Sequence, residues 1–375
     1  MLRHTWHIIR RLTRLEVYEL ASIFMLLSLL AVFFAFPGRL HQVIGFNRFT
    51  NPVWSNVWTV LTRGTTWFYS ALAACFGSCI CITRGRTDEL SAQLRRYARV
   101  ALTFLCVLVV FDVINFYIAV FNPYDHDPLL RHMDVRLFGA SPSEWFDGIT
   151  CLPLTLLFCG AYASWFFMTY FSVFIMAQHS ERAMQEYVTA AVFAFYIGYT
   201  TYFFVPAIGP EFTMHYAHSI GPLLKLVDGQ GPFLPRDCFP SLHTGLSIVM
   251  LINAWRHARR IFWIYAVDVS LIILSTMYLR VHYGVDIIAG AALAVAVCQM
   301  APVAISYWAT RRDRTWIGTS GRVSTLPSVG SSVGSSVGSS VGSSVGSSVG
   351  SSVGSSVGSS VGSSVGSQDS VTEWA

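Results

Sequence analysis

Long apolar runs alternate with short polar segments along most of the chain. About 20 apolar residues suffice for a helix to cross a bilayer. Eight runs meet or approach that length: 17–36, 66–82, 100–121, 152–177, 188–206, 241–255, 261–280 and 284–308. The sixth run is short, and Gly77 and Ser78 interrupt the second, so seven or nine spans also fit the pattern. We predict an all-α, polytopic transmembrane helix bundle of about eight spans.

The composition supports a membrane protein and argues against a soluble domain. Hydrophobic residues make up 53% of the 375 residues and charged residues only 12%, whereas about a quarter of a soluble domain is charged. The apolar run that starts at Tyr18 is too long for a signal peptide and lacks a small-residue cleavage site. We therefore expect this run to remain as the first span.

The net charge of +5 is distributed among loops and does not indicate a nucleic-acid partner. Arginines cluster before the first run, between the second and third, between the sixth and seventh, and after the eighth. The alternate loops are acidic or mixed, and their acidic residues include Asp125, Asp134, Asp147 and Glu211. By the positive-inside rule, both termini are predicted to be cytoplasmic and the acidic loops extracytoplasmic or lumenal.

Two segments of the chain differ from the spans in composition. Residues 328–367 repeat Val-Gly-Ser-Ser with a period of four, which predicts a disordered cytoplasmic tail because one Val in four residues cannot build a core. Residues 122–150 mix apolar, aromatic and charged residues at helical spacing, which predicts an amphipathic segment at the membrane interface. This segment either caps the bundle or helps to admit a lipid.

The eight cysteines show no paired metal-ligand spacing, and most are interpreted as small buried membrane residues. We predict no metal site and no cofactor. Cys151 and Cys238 both fall on the predicted outer side, and the sequence leaves open whether they pair.

Two short motifs carry the chemistry. The first is Phe239-Pro240-Ser241-Leu242-His243, and the second runs from Arg280 to Asp286 and includes His282. The predicted topology brings both to the same membrane level. Spacing of i and i+4 on a helix would let Asp286 reach a ring nitrogen of His282. Helix N-termini at this level favour a bound phosphate.

Pro-Ser-x-His followed by Ser-x6-His-x3-Asp resembles the second and third signatures of the type 2 phosphatidic acid phosphatase superfamily. The resemblance implies that His282 attacks phosphorus, that Asp286 orients it, and that His243 protonates the leaving oxygen, without a metal. Ser241 and Ser275 occupy the signature serines and are predicted to help bind phosphate.

The segments around these motifs look most like the inositolphosphotransferase branch, which includes inositol phosphorylceramide synthases. Residues 204–210, Phe-Val-Pro-Ala-Ile-Gly-Pro, resemble the Pro/Gly-rich segment of that branch, and the likeness covers roughly 100–308. The superfamily's first motif, Lys-x6-Arg-Pro, is absent, and Thr276 stands where an arginine is usual. We therefore predict Arg280 as the main phosphate binder, followed by Arg236 and then by Lys225, the single lysine.

These observations predict three regions: an N-terminal segment with two accessory spans (1–99), a six-helix catalytic core (100–314) and the tail (315–375). The leading hypothesis is a transferase that moves the headgroup of a membrane phospholipid or sphingolipid. A lipid phosphate phosphatase, with water as acceptor, is the alternative. A non-enzymatic lipid transporter, in which the His and Asp residues bind zinc or relay protons, is a remote one. The oligomeric state is left open.

Overall fold

The computed structural model describes residues 14–44, 51–220 and 235–320, and this part of the chain contains helices and no strand. The helices, in chain order, are α1 (Val17–Ala35), α2 (Pro37–Ile44), α3 (Pro52–Thr62), α4 (Gly64–Thr83), α5 (Glu89–Phe121), α6 (Asp127–Phe138), α7 (Pro142–Asp147), α8 (Leu152–His179), α9 (Glu181–Phe204), α10 (Pro210–Thr213), α11 (Leu242–His257), α12 (Phe262–Tyr278) and α13 (Gly284–Ser320). The described residues up to Thr315 belong to one compact unit.

Within the described residues, seven helices are long and apolar enough to cross a membrane: α1, α4, α5, α8, α9, α12 with the 3₁₀ turn before it, and α13. The predicted sixth span corresponds to α11, which has 16 residues and is shorter than the others. The prediction of an all-α polytopic helix bundle is thus confirmed. The repetitive tail lies outside the described residues, and the predicted domain boundaries stay predictions.

Helix α9 forms the centre of the bundle. Its alanines Ala183, Ala190, Ala191 and Ala194 are almost fully buried, and small residues of this kind let neighbouring helices approach closely. Large apolar residues on the outer helices remain exposed, among them Phe24, Phe34, Trp67, Phe167 and Val267. An apolar exterior of this kind is the arrangement expected of a bundle whose solvent is lipid.

The helices define two ends of the bundle. We call the end where α11 and α13 begin, near His243 and His282, the histidine end. At the opposite end, Trp308 Nε1 in α13 donates to the Leu15 carbonyl oxygen before α1 at 2.8 Å, and Arg99 in α5 pairs with Glu19 in α1. We call this opposite end the arginine end.

The segment predicted to be amphipathic forms α6 and α7 at the histidine end. Leu130 and Asp134 of α6 are buried, whereas Leu129, Met133 and Leu137 are exposed, so the helix has the two faces that its sequence predicts. The buried face packs onto the start of α13. Of the two roles considered for this segment, these contacts support that of a cap.

Candidate active site

Ser241 positions the first histidine. It is the N-cap of α11, and its Oγ accepts a hydrogen bond from the Thr244 backbone N–H at 3.2 Å. This cap starts the helix at Leu242 and places His243 in the first turn. The Ser241 backbone N–H also donates to the Asp286 carbonyl oxygen at 3.1 Å. The starts of α11 and α13 are therefore joined directly through the backbone.

Two glycines allow this close approach of α11 and α13. A Cβ added at Gly245 would lie 3.3 Å from the carbonyl oxygen of Gly290, and one added at Gly290 would overlap the carbonyl oxygen of Ser241. Because those obstacles are backbone atoms, they cannot rotate away. The two glycines thus set the separation between the helices that carry His243 and Asp286.

The sequence predicted His282 and Asp286 on one face of a single helix, and this is wrong. Helix α13 begins at Gly284, so His282 precedes it. The His282 backbone N–H instead donates to the Thr276 carbonyl oxygen at 3.3 Å, in the turn that leaves α12. The Asp286 carboxylate folds back over this turn, and its Oδ2 accepts from the Tyr283 N–H at 2.8 Å. This turn, and not helical spacing, brings the aspartate to the histidine.

Asp134 of α6 accepts hydrogen bonds from the start of α13. Asp134 Oδ2 accepts from the Gly284 N–H at 3.0 Å, and Asp134 Oδ1 accepts from the Val285 N–H at 2.9 Å. Burial raises the pKa of Asp134, and these two hydrogen bonds partly offset the effect. Sequence reasoning missed this role, although an aspartate on the apolar face of an amphipathic helix is a signal of a buried partner.

Asp127 performs a similar task nearby. Its carboxylate accepts from the Gly209 N–H at 2.8 Å and from the Tyr283 hydroxyl at 3.0 Å. It therefore fixes both the loop before α10 and the residue next to His282.

The two histidines and the aspartate form one contiguous chain of contacts. His243 Nδ1 lies 3.4 Å from His282 Nε2, and His282 Nδ1 lies 3.5 Å from Asp286 Oδ2. The Cys238 thiol donates to Asp286 Oδ2 at 2.9 Å. His282 and Asp286 are buried, with exposed fractions of 3% and 0%. The structure thus brings together the three residues predicted to be catalytic.

The other ring nitrogen of His243 has a different environment. The His243 ring lies against Tyr162 and Trp165, with centroid separations of 4.3 Å and 4.4 Å. Its Nε2 atom is buried and has no hydrogen-bond partner among the described residues. An unsatisfied buried nitrogen is costly unless a ligand completes it.

Both histidines line a cavity of about 260 Å³. Its polar wall also includes Asp237, Cys238, Glu211 and Arg280, and its apolar wall consists mainly of residues from α5, α8 and α9, namely Val107, Leu108, Phe111, Tyr162, Trp165, Phe166, Tyr170, Phe195, Tyr199 and Tyr202. Phe111, Phe166 and Tyr170 are also among the exposed residues of the outer surface. The cavity therefore extends from the histidines to the lipid-facing side of the bundle.

Two acidic residues, Asp237 and Glu211, lie on the polar wall. Burial raises the pKa of Asp237, and the nearby His282 partly offsets this. Burial likewise raises the pKa of Glu211, an effect that the Arg280 guanidinium partly offsets. A carboxyl group in such a position accepts hydrogen bonds from hydroxyl groups when it is ionised and donates one when it is protonated.

Arg280, the preferred candidate for phosphate binding, lines the cavity. Its side chain is 5% exposed; one guanidinium nitrogen lies 2.9 Å from Asp147 Oδ1 and the other 3.5 Å from Glu211 Oε2. The guanidinium also stacks over Tyr216, 3.8 Å from the ring centroid. These partners hold the arginine in place and neutralise part of its charge.

Among the remaining predicted phosphate binders, Arg236, Ser241 and Ser275 are not in the cavity wall. Arg236 Nε donates to Asp125 Oδ1 at 2.6 Å. Ser241 and Ser275 are buried, and their hydroxyls donate to Thr244 Oγ1 and to the Ile272 carbonyl oxygen, respectively. Lys225 lies outside the described residues. A phosphate-binding role for these four residues stays a prediction.

Cys151 and Cys238 are both free thiols, the first exposed and the second buried. The structure therefore contains no bond between them. Cys238 instead contacts the Asp286 carboxylate, a position that its place in the sequence did not indicate.

Comparison with known proteins gives one match. Residues 138–300 match a family model of the PAP2 superfamily. No curated protein and no solved structure matches the chain. The matched segment contains His243, Arg280, His282 and Asp286, whereas α1 to α5 precede it. The match supports the PAP2 superfamily, whose members are phosphatases or phosphotransferases, for the part of the chain that carries the site.

Proposed function

We propose that this protein is an integral membrane phosphoryl-transfer enzyme that acts on lipid headgroups through a phosphohistidine intermediate. The observation that carries the proposal is the chain from His243 through His282 to Asp286, on the wall of a cavity that extends to the lipid-facing surface. An aromatic and aliphatic wall suits an acyl chain, and the polar wall suits the headgroup.

In the first step, His282 Nε2 forms a bond to phosphorus while the bond from phosphorus to the leaving oxygen breaks. For Nε2 to carry a lone pair, the ring proton must be on Nδ1, where it faces Asp286 Oδ2 at 3.5 Å. Asp286 thus selects the reactive tautomer and stabilises the positive charge that develops on the ring.

His243 serves as the proton carrier. As an imidazolium, it donates a proton to the leaving oxygen; the neutral ring then accepts a proton from the acceptor hydroxyl, which attacks the phosphohistidine. Its Nδ1 is 3.4 Å from the attacking nitrogen, so it lies beside the reacting phosphorus in either step. Arg280 supplies positive charge for the phosphoryl oxygens, and the start of α11 supplies backbone N–H groups.

We propose that the acceptor is a hydroxyl group of a second molecule, as in headgroup transfer. Asp237 and Glu211 line the same cavity as the histidines. Two carboxyl groups next to a phosphate are unfavourable unless they bind hydroxyl groups or are balanced by cations. A hydroxyl-rich headgroup or acceptor provides such hydrogen bonds. Hydrolysis is the alternative, because His243 would activate water by the same chemistry.

In the decisive experiment, purified protein in liposomes is incubated with phosphatidic acid, and separately with phosphatidylinositol plus ceramide, in the presence of a chelator. Both phosphate release and headgroup transfer are measured. We expect transfer of the headgroup and a radiolabelled phosphoryl intermediate with a P–N bond at His282. If neither reaction occurs, or if the label is retained by His282→Ala protein, the proposal is wrong. Phosphate release alone would favour the phosphatase.

We further propose that the histidine end faces the extracytoplasmic or lumenal side, as the loop charges predict. Tyr124 is exposed at the histidine end, and Arg84 is exposed at the arginine end. In a background without the exposed cysteines, Tyr124→Cys should react with an impermeant thiol reagent in intact cells, and Arg84→Cys should not. The reverse pattern would overturn this orientation.

A further inference from the structure

Three different metal-ligand atoms meet beneath the cavity. The Cys238 Sγ lies 2.9 Å from Asp286 Oδ2 and 3.6 Å from His282 Nδ1, and that nitrogen lies 3.5 Å from Asp286 Oδ2. All three residues are buried, and the three atoms lie within 4.8 Å of one another. We propose that Cys238, His282 and Asp286 form an inhibitory binding site for a thiophilic divalent cation such as Zn²⁺.

The separations fit tetrahedral coordination. With metal–ligand bonds of about 2.0–2.3 Å, neighbouring ligands of a tetrahedral zinc lie roughly 3.3–3.8 Å apart. Two of the three separations, 3.5 Å and 3.6 Å, fall in this range. The third, 2.9 Å, is a hydrogen bond from the thiol, and it lengthens once the metal displaces the thiol proton to solvent.

The set of ligand types selects the class of ion. Mg²⁺ and Ca²⁺ require several oxygen ligands, whereas this site offers one sulfur, one nitrogen and one carboxylate. Thiolate and imidazole together favour Zn²⁺ and the softer Cd²⁺.

A second observation independently indicates a ligand. Asp286 is fully buried, and its Oδ1 has no hydrogen-bond partner among the described residues. Leaving a carboxylate oxygen in this state is unfavourable, and a bound cation would offset the cost. Cys238 and His282 both line the cavity, so an ion has a route to the site and a fourth coordination position open to water.

Inhibition follows from the tautomer of His282, and this step rests on the proposed function. A metal on Nδ1 replaces the proton that Nδ1 holds toward Asp286. The neutral ring then carries its proton on Nε2, the atom proposed to attack phosphorus. Without a lone pair on Nε2, no bond to phosphorus can form.

The test combines a binding measurement with an activity measurement on the full-length protein in detergent. Cd²⁺ is titrated into wild type, Cys238→Ser and Cys159→Ser while the ultraviolet absorption of the Cd–thiolate bond is recorded. Cys159 is the matched control, because it is a half-buried cysteine of α8 that is not part of the cluster. We expect one saturable, chelator-reversible site that Cys238→Ser loses and Cys159→Ser keeps.

In parallel, the inhibition by Zn²⁺ is measured for each protein relative to its own metal-free rate. We expect the inhibitory concentration to rise at least tenfold in Cys238→Ser and to stay unchanged in Cys159→Ser. Equal binding by all three proteins would overturn the site. Loss of activity in chelator, with recovery on Zn²⁺, would overturn its inhibitory role. Because the absorption measurement requires no turnover, failure of the proposed function would leave the binding result decisive.

Discussion

The two ends of the bundle use polar groups in contrasting ways. At the arginine end, Glu19 accepts from Arg99 Nε at 2.7 Å, and Glu186 accepts from Arg182 Nε at 2.6 Å and lies 3.1 Å from His257 Nε2. At the histidine end, His243 Nε2 and Asp286 Oδ1 are buried without a hydrogen-bond partner among the described residues. The charged groups at the arginine end therefore have partners within the protein, whereas these two atoms at the histidine end lack one.

This difference suggests that polar groups at the arginine end contribute mainly to stability, and those at the histidine end mainly to function. A buried polar atom without a partner costs about 1–3 kcal/mol, and such a cost is retained where a ligand supplies the missing partner. Substitutions at the histidine end should therefore remove activity with little effect on folding. Substitutions at the arginine end should have the reverse effect.

The largest effect is expected for His282→Ala. Loss of the nucleophile should reduce turnover by more than about 10⁴-fold, and His243→Ala should cost about 10²–10⁴-fold through loss of the proton carrier. The melting temperature of both proteins should stay close to that of wild type. Turnover is measured with the substrate that wild type uses. Activity within tenfold of wild type would remove the substituted residue from the mechanism.

Asp286→Asn should be strongly impaired but less completely inactive. The amide oxygen can still accept from the Tyr283 N–H, but it no longer carries the charge that favours a proton on His282 Nδ1. By analogy with other orienting carboxylates, we expect a loss in kcat of about 10²–10⁴-fold with a smaller change in KM. Steady-state kinetics provide the measurement. A variant with wild-type kcat would show that Asp286 is only structural.

Arg280→Lys should reduce kcat/KM by about tenfold, or roughly 1.4 kcal/mol. An ammonium retains the charge near Asp147 and Glu211 but cannot bind two phosphate oxygens in one plane. Arg236→Lys is the matched control, since Arg236 pairs with Asp125 and does not line the cavity. If the control loses more activity than Arg280→Lys, the phosphate binder is Arg236.

The smallest effect on activity is expected at the arginine end. Glu19→Gln weakens the pairing with Arg99, a half-buried residue, and should destabilise the protein by about 1 kcal/mol. We expect a melting temperature a few degrees lower and turnover within twofold of wild type. A large loss of turnover at unchanged melting temperature would contradict the division between the two ends.

Several features of this protein could be predicted from the sequence because they depend on local properties. The apolar runs predict every long helix in the described part of the chain, since a span needs only sufficient length and hydrophobicity. The apolar run at 241–255 predicts α11, which the structure has at Leu242–His257. The proximity of His243, His282 and Asp286 follows from helix topology, which brings the starts of α11 and α13 to the same end.

Other features depend on long-range contacts and could not be predicted in this way. Local spacing indicated a helical His282–Asp286 pair, but the turn after α12 delays the helix until Gly284. Asp134 reaches the start of α13 across 150 residues of sequence. The sequence ranked Arg280 above Arg236 as a phosphate binder, but only the structure shows that Arg280 pairs with Asp147 and lines the cavity, whereas Arg236 pairs with Asp125.

The sequence by itself therefore determined the membrane-spanning helices, the two motifs and the residues proposed to react. Tertiary structure alone decided which polar groups are satisfied and which face the cavity, including the position of Cys238 beside Asp286. The physical reason is that helix formation in a membrane depends on the hydropathy of consecutive residues, whereas satisfaction of a buried polar group depends on neighbours that are distant in the chain.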